Sequence, residues 1–138
     1  MGLSVNIRNA IVKGILDAGL PYKIQWFGGS FTKPAPTDSY LRVNYYYNKP
    51  FQDGYKFDSI KGFVQIDIYT PKDDADLTAA QIEDELKAAF PVNFAGFTSG
   101  DVKVQFSSVG RVGVPQDGMV WNSTIVQADF YVYADRNG

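Results

Sequence analysis

Residues 61–70 read KGFVQIDIYT, and Pro71 follows. Val64, Ile66 and Ile68 alternate with Gln65, Asp67 and Tyr69. That period of two marks a strand with one apolar and one polar face. Pro71 has no N–H to give a ladder and ends it. A helix comes next. Thr78 and Gln81 have capping-box spacing, and Leu77 with Ile82 has that of a hydrophobic staple. Ile82, Leu86, Ala89 and Phe90 form its apolar stripe, while Glu83, Asp84, Glu85 and Lys87 face water. Pro91 closes it. A half-buried strand followed by an amphipathic helix points to an α+β chain.

Upstream, Tyr40 to Tyr47 alternates in the same way. Leu41, Val43, Tyr45 and Tyr47 share one face, with Arg42, Asn44 and Tyr46 on the other. Tyr22 to Phe27 reads as a short strand broken by Gly28-Gly29. Residues 4–18 read as a helix with Ser4 as N-cap, ended by Gly19 and Pro21. Its polar stripe, Asn6, Asn9, Lys13 and Asp17, is narrow. The broad remaining face, with Val5, Val12 and Leu16 beside the Ile7, Ile11 and Ile15 row, calls for burial on more than one side.

Downstream, Val102, Val104 and Phe106 alternate with Lys103, Gln105 and Ser107. Trp121 to Tyr133 is a long last strand. Residues 30–39, 48–60 and 108–120 read as long connections, the last two with an Asp-Gly turn. Connections beyond about 12 residues are uncommon unless functional. The expectation is an α+β domain over residues 1–138. It has a mainly antiparallel sheet of about five strands, two helices packed on one face, the order α-β-β-β-α-β-β, and long loops.

Composition narrows the chemistry. The 138 residues hold no cysteine and no histidine. Thiolate nucleophiles, zinc–thiolate sites and Ser-His-Asp catalysis are therefore excluded. The net charge is −2 and the 13 basic residues are dispersed, without the positive patch of a nucleic-acid grip. No apolar run reaches the ~20 residues of a membrane span. The N-terminal residues lack the regions of a secretory signal. Aromatic residues make up 15%, enough for either a Tyr-rich core or a contact surface.

Asp67 and Asp129 are the most catalytic-looking pair, each on the polar face of a strong strand. Paired carboxylates do acid–base work or hold a divalent ion. Gln65, Gln127 and Asn44 share that face and favour a plain hydrophilic surface. Asp73, Asp74 and Asp76 lack the EF-hand pattern and suit a helix N-terminus. Trp26 and Trp121 fit a sugar platform or, more simply, packing at the sheet edge or in a subunit interface. Neither a metal site, a cofactor site nor an enzyme active site is expected.

The stretch GFVQIDIYTP, then AAQIEDELKAAFP at 79–91, resembles the tail terminator-like proteins of long-tailed (siphovirus-type) bacteriophages. Those proteins show a Gly-x-x-Gln-hydrophobic-Asp-hydrophobic-Tyr strand and an Ala-rich helix ending in Phe-Pro. The Tyr40-Leu-Arg-Val43 strand, the Gly100-x-Val102-x-Val104 strand, the Asp-Gly turn and the final strand follow in order. The resemblance implies a structural virion protein without catalysis or cofactor. Such proteins form a ring, typically a hexamer, on the head-proximal end of the tail. The ring stops tube growth and offers a surface to the head.

The implied partners are copies of the same chain, the tail tube protein and a head–tail connector. DNA passes through without specific binding, and no membrane is involved. On the residue reading, Asp67, Asp129, Gln65 and Gln127 are the candidates for the lumen lining. Phe51, Asp53, Tyr55 and Phe57, around the turn at Asp53-Gly54, are the candidate subunit contact. The rival readings are another connector or completion protein, a tail-tube subunit, a carboxylate-dependent hydrolase and a carbohydrate-binding module.

Overall fold

The computed structural model describes residues 2–29, 31–35, 38–48, 51–52, 57–72, 75–90, 96–118 and 121–135. The chain runs α1 (Leu3–Asp17), β1 (Lys23–Trp26), β2 (Tyr40–Tyr47), β3 (Phe51–Gln52), β4 (Phe57–Pro71), α2 (Ala75–Ala89), β5 (Phe97–Ser99), β6 (Val102–Asp117) and β7 (Trp121–Asp135).

The expected five-strand sheet under two helices is corrected. Among the described residues the molecule is mostly sheet, with seven strands curled into a half-barrel and two helices. Strand order is β1-β2-β4-β7-β6-β5, with β3 also pairing β4. β1 and β2 are parallel; every other pair is antiparallel. Two stretches read as loops contain strand. Residues 48–60 hold β3 and the start of β4, and most of 108–120 belongs to β6.

The physical reason lies in β6. Its 16 residues include Gly110, Gly113 and Pro115, which normally signal a break. β5 pairs only with Val102–Val104, so among the described residues the rest of β6 has β7 on one side only. An edge strand tolerates Pro, Gly and bulges, and the register shifts at Phe106/Ser108 and Val112/Gln116.

Helix boundaries also move. α1 begins on Gly2, which is extended and gives no side-chain cap. Ser4 is therefore inside the first turn, where its hydroxyl accepts a hydrogen bond from Tyr47 Oη (3.2 Å). Gly19 takes φ +67°, the left-handed conformation that ends helices at least cost. α2 starts three residues ahead of Thr78, which sits within the helix and not at its cap.

One apolar core joins these elements. Ile7, Ala10, Ile11 and Ile15 of α1 and Ile82 and Leu86 of α2 meet Val64, Ile66, Ile68, Val126, Ala128 and Phe130 of the sheet. Phe90, Phe97 and Phe106 pack with ring centroids 5.0–5.5 Å apart. Burying one such ring contributes roughly 1.5–3 kcal/mol.

Candidate assembly surfaces

The strand register decides what the polar face can do. β2, β4 and β7 are adjacent, and Gln65 lies directly opposite Gln127. All four candidate lining residues therefore share one face of one strand pair. Asp67, however, pairs with Ile125, and Asp129 pairs with Phe63. Four residues of strand separate them, about 13 Å, so the two carboxylates do not converge on one substrate or ion. Among the described residues no group of three or more acidic side chains is placed to hold a metal.

The two aspartates also differ in environment. Asp67 is 4% exposed. Its Oδ2 accepts from Arg42 Nε (2.9 Å) and Nη2 (2.6 Å), and its Oδ1 from Gln65 Nε2 (3.0 Å). Hydrogen bonding to Asp67 raises Arg42 further above its ordinary pKa. Asp129 is half-buried. It accepts from Ser108 Oγ (2.9 Å) and Gln127 Nε2 (2.7 Å), and among the described residues no cation bonds to it. Asp67 is thus covered by a neutralising guanidinium, whereas Asp129, Gln65 and Gln127 present the polar surface. Arg42 is visible in sequence on that face; its pairing with Asp67 follows only from the β2–β4 register.

The outer face is aromatic at its other end. Tyr40 stacks on Tyr69 (4.5 Å, 11°) and meets Trp121 edge-on (5.2 Å). Burial raises the pKa of both tyrosines. The connection between the parallel strands β1 and β2 crosses here. Phe31 lies 5.3 Å from Tyr40, and Trp121 Nε1 donates to the Asp38 carbonyl (3.0 Å). Trp121 is therefore a packing residue under this connection, and Trp26 packs separately on Phe27. The two indoles do not form a shared sugar platform.

The candidate contact segment lies on a β arm. β4 and β7 remain paired from Gly62↔Phe130 out to Phe57↔Asp135. β2 pairing stops at Tyr47↔Gly62, and β6 pairs with β7 only from Gln105↔Tyr131 onward. β3 joins the extension through Phe51↔Ser59 and Gln52↔Asp58. Ile60 and Val132 are still fully buried in the core, so three residues of strand, Phe57–Ser59, extend past it, about 10 Å. Phe51 and Phe57 are on this arm by backbone pairing, while Asp53 and Tyr55 lie outside the described residues, as do Asp73 and Asp74.

Comparison with known proteins identifies this architecture. The family model for the phage tail terminator protein matches residues 6–130. The chain belongs to that family. The chain is also similar to a solved structure at 25% identity and a TM-score of 0.72, over 93% of each chain. Among curated proteins there is no match. Membership makes the chain a phage tail structural protein. Among the described residues, no helix is long and apolar enough to cross a membrane.

Proposed function

We propose that this terminator closes into a ring on the end of the tail tube, stops tube polymerisation and offers the joining surface for the head. The family match over residues 6–130 carries the reading. Its partners are then copies of itself, the tube protein and a head–tail connector, at the head-proximal end of the tail. A hexamer is the ring number we expect.

The fold supplies means for each task. An arm built from β3, β4 and β7 reaches beyond the body of the sheet, which suits a head-to-tail contact that closes by rotation. The Gln65, Gln127 and Asp129 surface suits a lumen, because it offers DNA phosphates polar groups and negative charge; of the cations on that face, Arg42 is bonded to Asp67 and Lys61 lies beside Asp129. Asp67 contributes to that surface by holding Arg42 neutralised.

Mass measurement in solution with negative-stain imaging, run with and without tail tubes, tests the proposal. Discrete rings, alone or at tube ends, are expected. Open filaments of the isolated chain would identify a tube subunit instead.

A further inference from the structure

α1 is apolar on two opposite sides. Ile7, Ala10, Ile11 and Ile15 are buried in the core. On the outward side Val5 is 45% exposed and Leu16 59%, with Val12 half-buried between them. Together with Asn9 they hold the i, i+4, i+7, i+11 spacing of one helical stripe. The chain's own sheet covers only the first of these rows. A second, contiguous apolar row on a surface helix marks a contact with another protein.

α2 carries a row of the same length and spacing. Leu77 is 61% exposed, and Gln81, Asp84 and Ala88 follow it on the outward side, all exposed. Ile82 and Leu86 are buried on the other side. The two rows differ in charge. Arg8 and Lys13 stand exposed beside the α1 row, and Asp84 and Glu85 stand exposed on and beside the α2 row. Lys87 does not offset them, because its ammonium group is bonded to Glu83 (3.0 Å).

These features select a partner for the α1 row. Two α1 rows laid against each other in antiparallel fashion would bring Arg8 of one copy beside Lys13 of the other, and like charges oppose such a contact. The α2 row offers opposite charge. It cannot be the α2 row of the same chain, since both rows point away from the shared core. An antiparallel approach sets Leu16 on Leu77 and Val5 on Ala88, and it brings Asn9 and Arg8 level with Asp84. A parallel approach would set the Asp84 carboxylate on Val12.

We infer that α1 of one copy packs antiparallel on α2 of a second copy, with Leu16 on Leu77 and Arg8 beside Asp84. This rests on the ring reading and names one of its subunit contacts. The two rows are different surfaces, so the contact is head-to-tail and repeats around a ring.

The chain has no cysteine, which makes a clean test possible. A chain carrying Leu16→Cys and Leu77→Cys is oxidised in assembled rings. A ladder of disulfide-linked oligomers is expected, with no ladder from either single variant; a link within one chain gives none. In parallel, Arg8→Glu and Asp84→Lys should each lower assembly about tenfold or more, and the two together should restore it. Circular dichroism confirms that each variant is folded. Rings that give no ladder, or that form normally in both charge-reversed chains, overturn the contact. Rings of Leu16→Glu that form normally but no longer cap tubes would assign the α1 row to the tube protein and overturn it too. Failure of the wild-type chain to form rings even on tubes overturns the ring reading, and this contact with it.

Discussion

Arg42 and Asp67 face each other across the β2–β4 ladder and are joined twice through a single oxygen, Oδ2, at 2.9 and 2.6 Å. The two ends are unequally solvated: the Arg42 side chain is 44% exposed and that of Asp67 only 5%. Water can replace Asp67 for the arginine but cannot easily replace Arg42 for the aspartate. Arg42→Ala should therefore lower stability by about 1–3 kcal/mol, the cost of leaving a buried acceptor under-satisfied. Asp67→Asn keeps an acceptor and should cost less. Urea denaturation of both variants checks the order; equal midpoints would mean that solvent reaches Asp67.

Gly14→Ala sets two effects against each other. Alanine in a helix interior favours folding by about 1 kcal/mol over glycine. Overpacking a tight contact costs about 1–3 kcal/mol, and the new methyl would overlap the buried Phe97 ring. The overlap should outweigh the gain in helix propensity, so the variant melts lower than wild type. Adding Phe97→Leu removes the ring and should return part of the loss. Thermal melts of the single and double variants decide it.

Glu83 fastens α2 to both itself and the sheet. Lys87 Nζ is 3.0 Å away one turn along, and Arg111 Nε reaches it from β6 at 2.9 Å. The hydrogen bond from Lys87, then that from Arg111, holds its pKa below the ordinary carboxylate value against the opposing effect of burial. A depressed folded pKa contributes stability above the unfolded value, and that contribution fades as pH falls through the folded one. Glu83→Gln should thus be less stable than wild type at about pH 6, with the gap narrowing as pH falls below the ordinary carboxylate range. Melting curves across that range measure it; a gap independent of pH would mean the charge of Glu83 is immaterial.

How much of the fold is legible in sequence depends on what each residue has to satisfy. β4 and β2 are covered on both sides by other strands and on one face by the core. Their alternation is therefore strict, and it places Val64, Ile66, Ile68, Leu41 and Val43 correctly. β6 beyond Val104 has one neighbour only, so Gly110, Gly113 and Pro115 cost it little, and the same residues read as a loop. β3 spans just Phe51–Gln52, too short for any period to show. Ser4 and Thr78 look like caps because their type and spacing suit one. Yet helices begin wherever the first turn can be satisfied, and Gly2 offers its carbonyl to Asn6 N–H at 3.0 Å. The polar residues of the sheet face are identifiable by alternation. That Asp67 is shielded by Arg42 while Asp129 is not depends on register, which no local pattern encodes.

That difference makes the lining proposal testable one residue at a time. Asp129→Lys loses the bonds from Ser108 and Gln127, about 1 kcal/mol each, but stays half-exposed and should fold. Asp67→Lys places a second cation against Arg42 in a nearly buried site, so it should compromise the sheet itself. If the polar face lines a lumen, rings of Asp129→Lys still form and cap tubes, while DNA passage slows because the new ammonium groups bind phosphate. Such binding weakens steeply with salt. The delay should therefore shrink as ionic strength rises, and Asp129→Gln should show no delay. DNA release timed from particles carrying each variant provides the readout. Loss of the ring in Asp129→Lys, with the monomer still folded, would place Asp129 in a subunit contact rather than on the lumen wall.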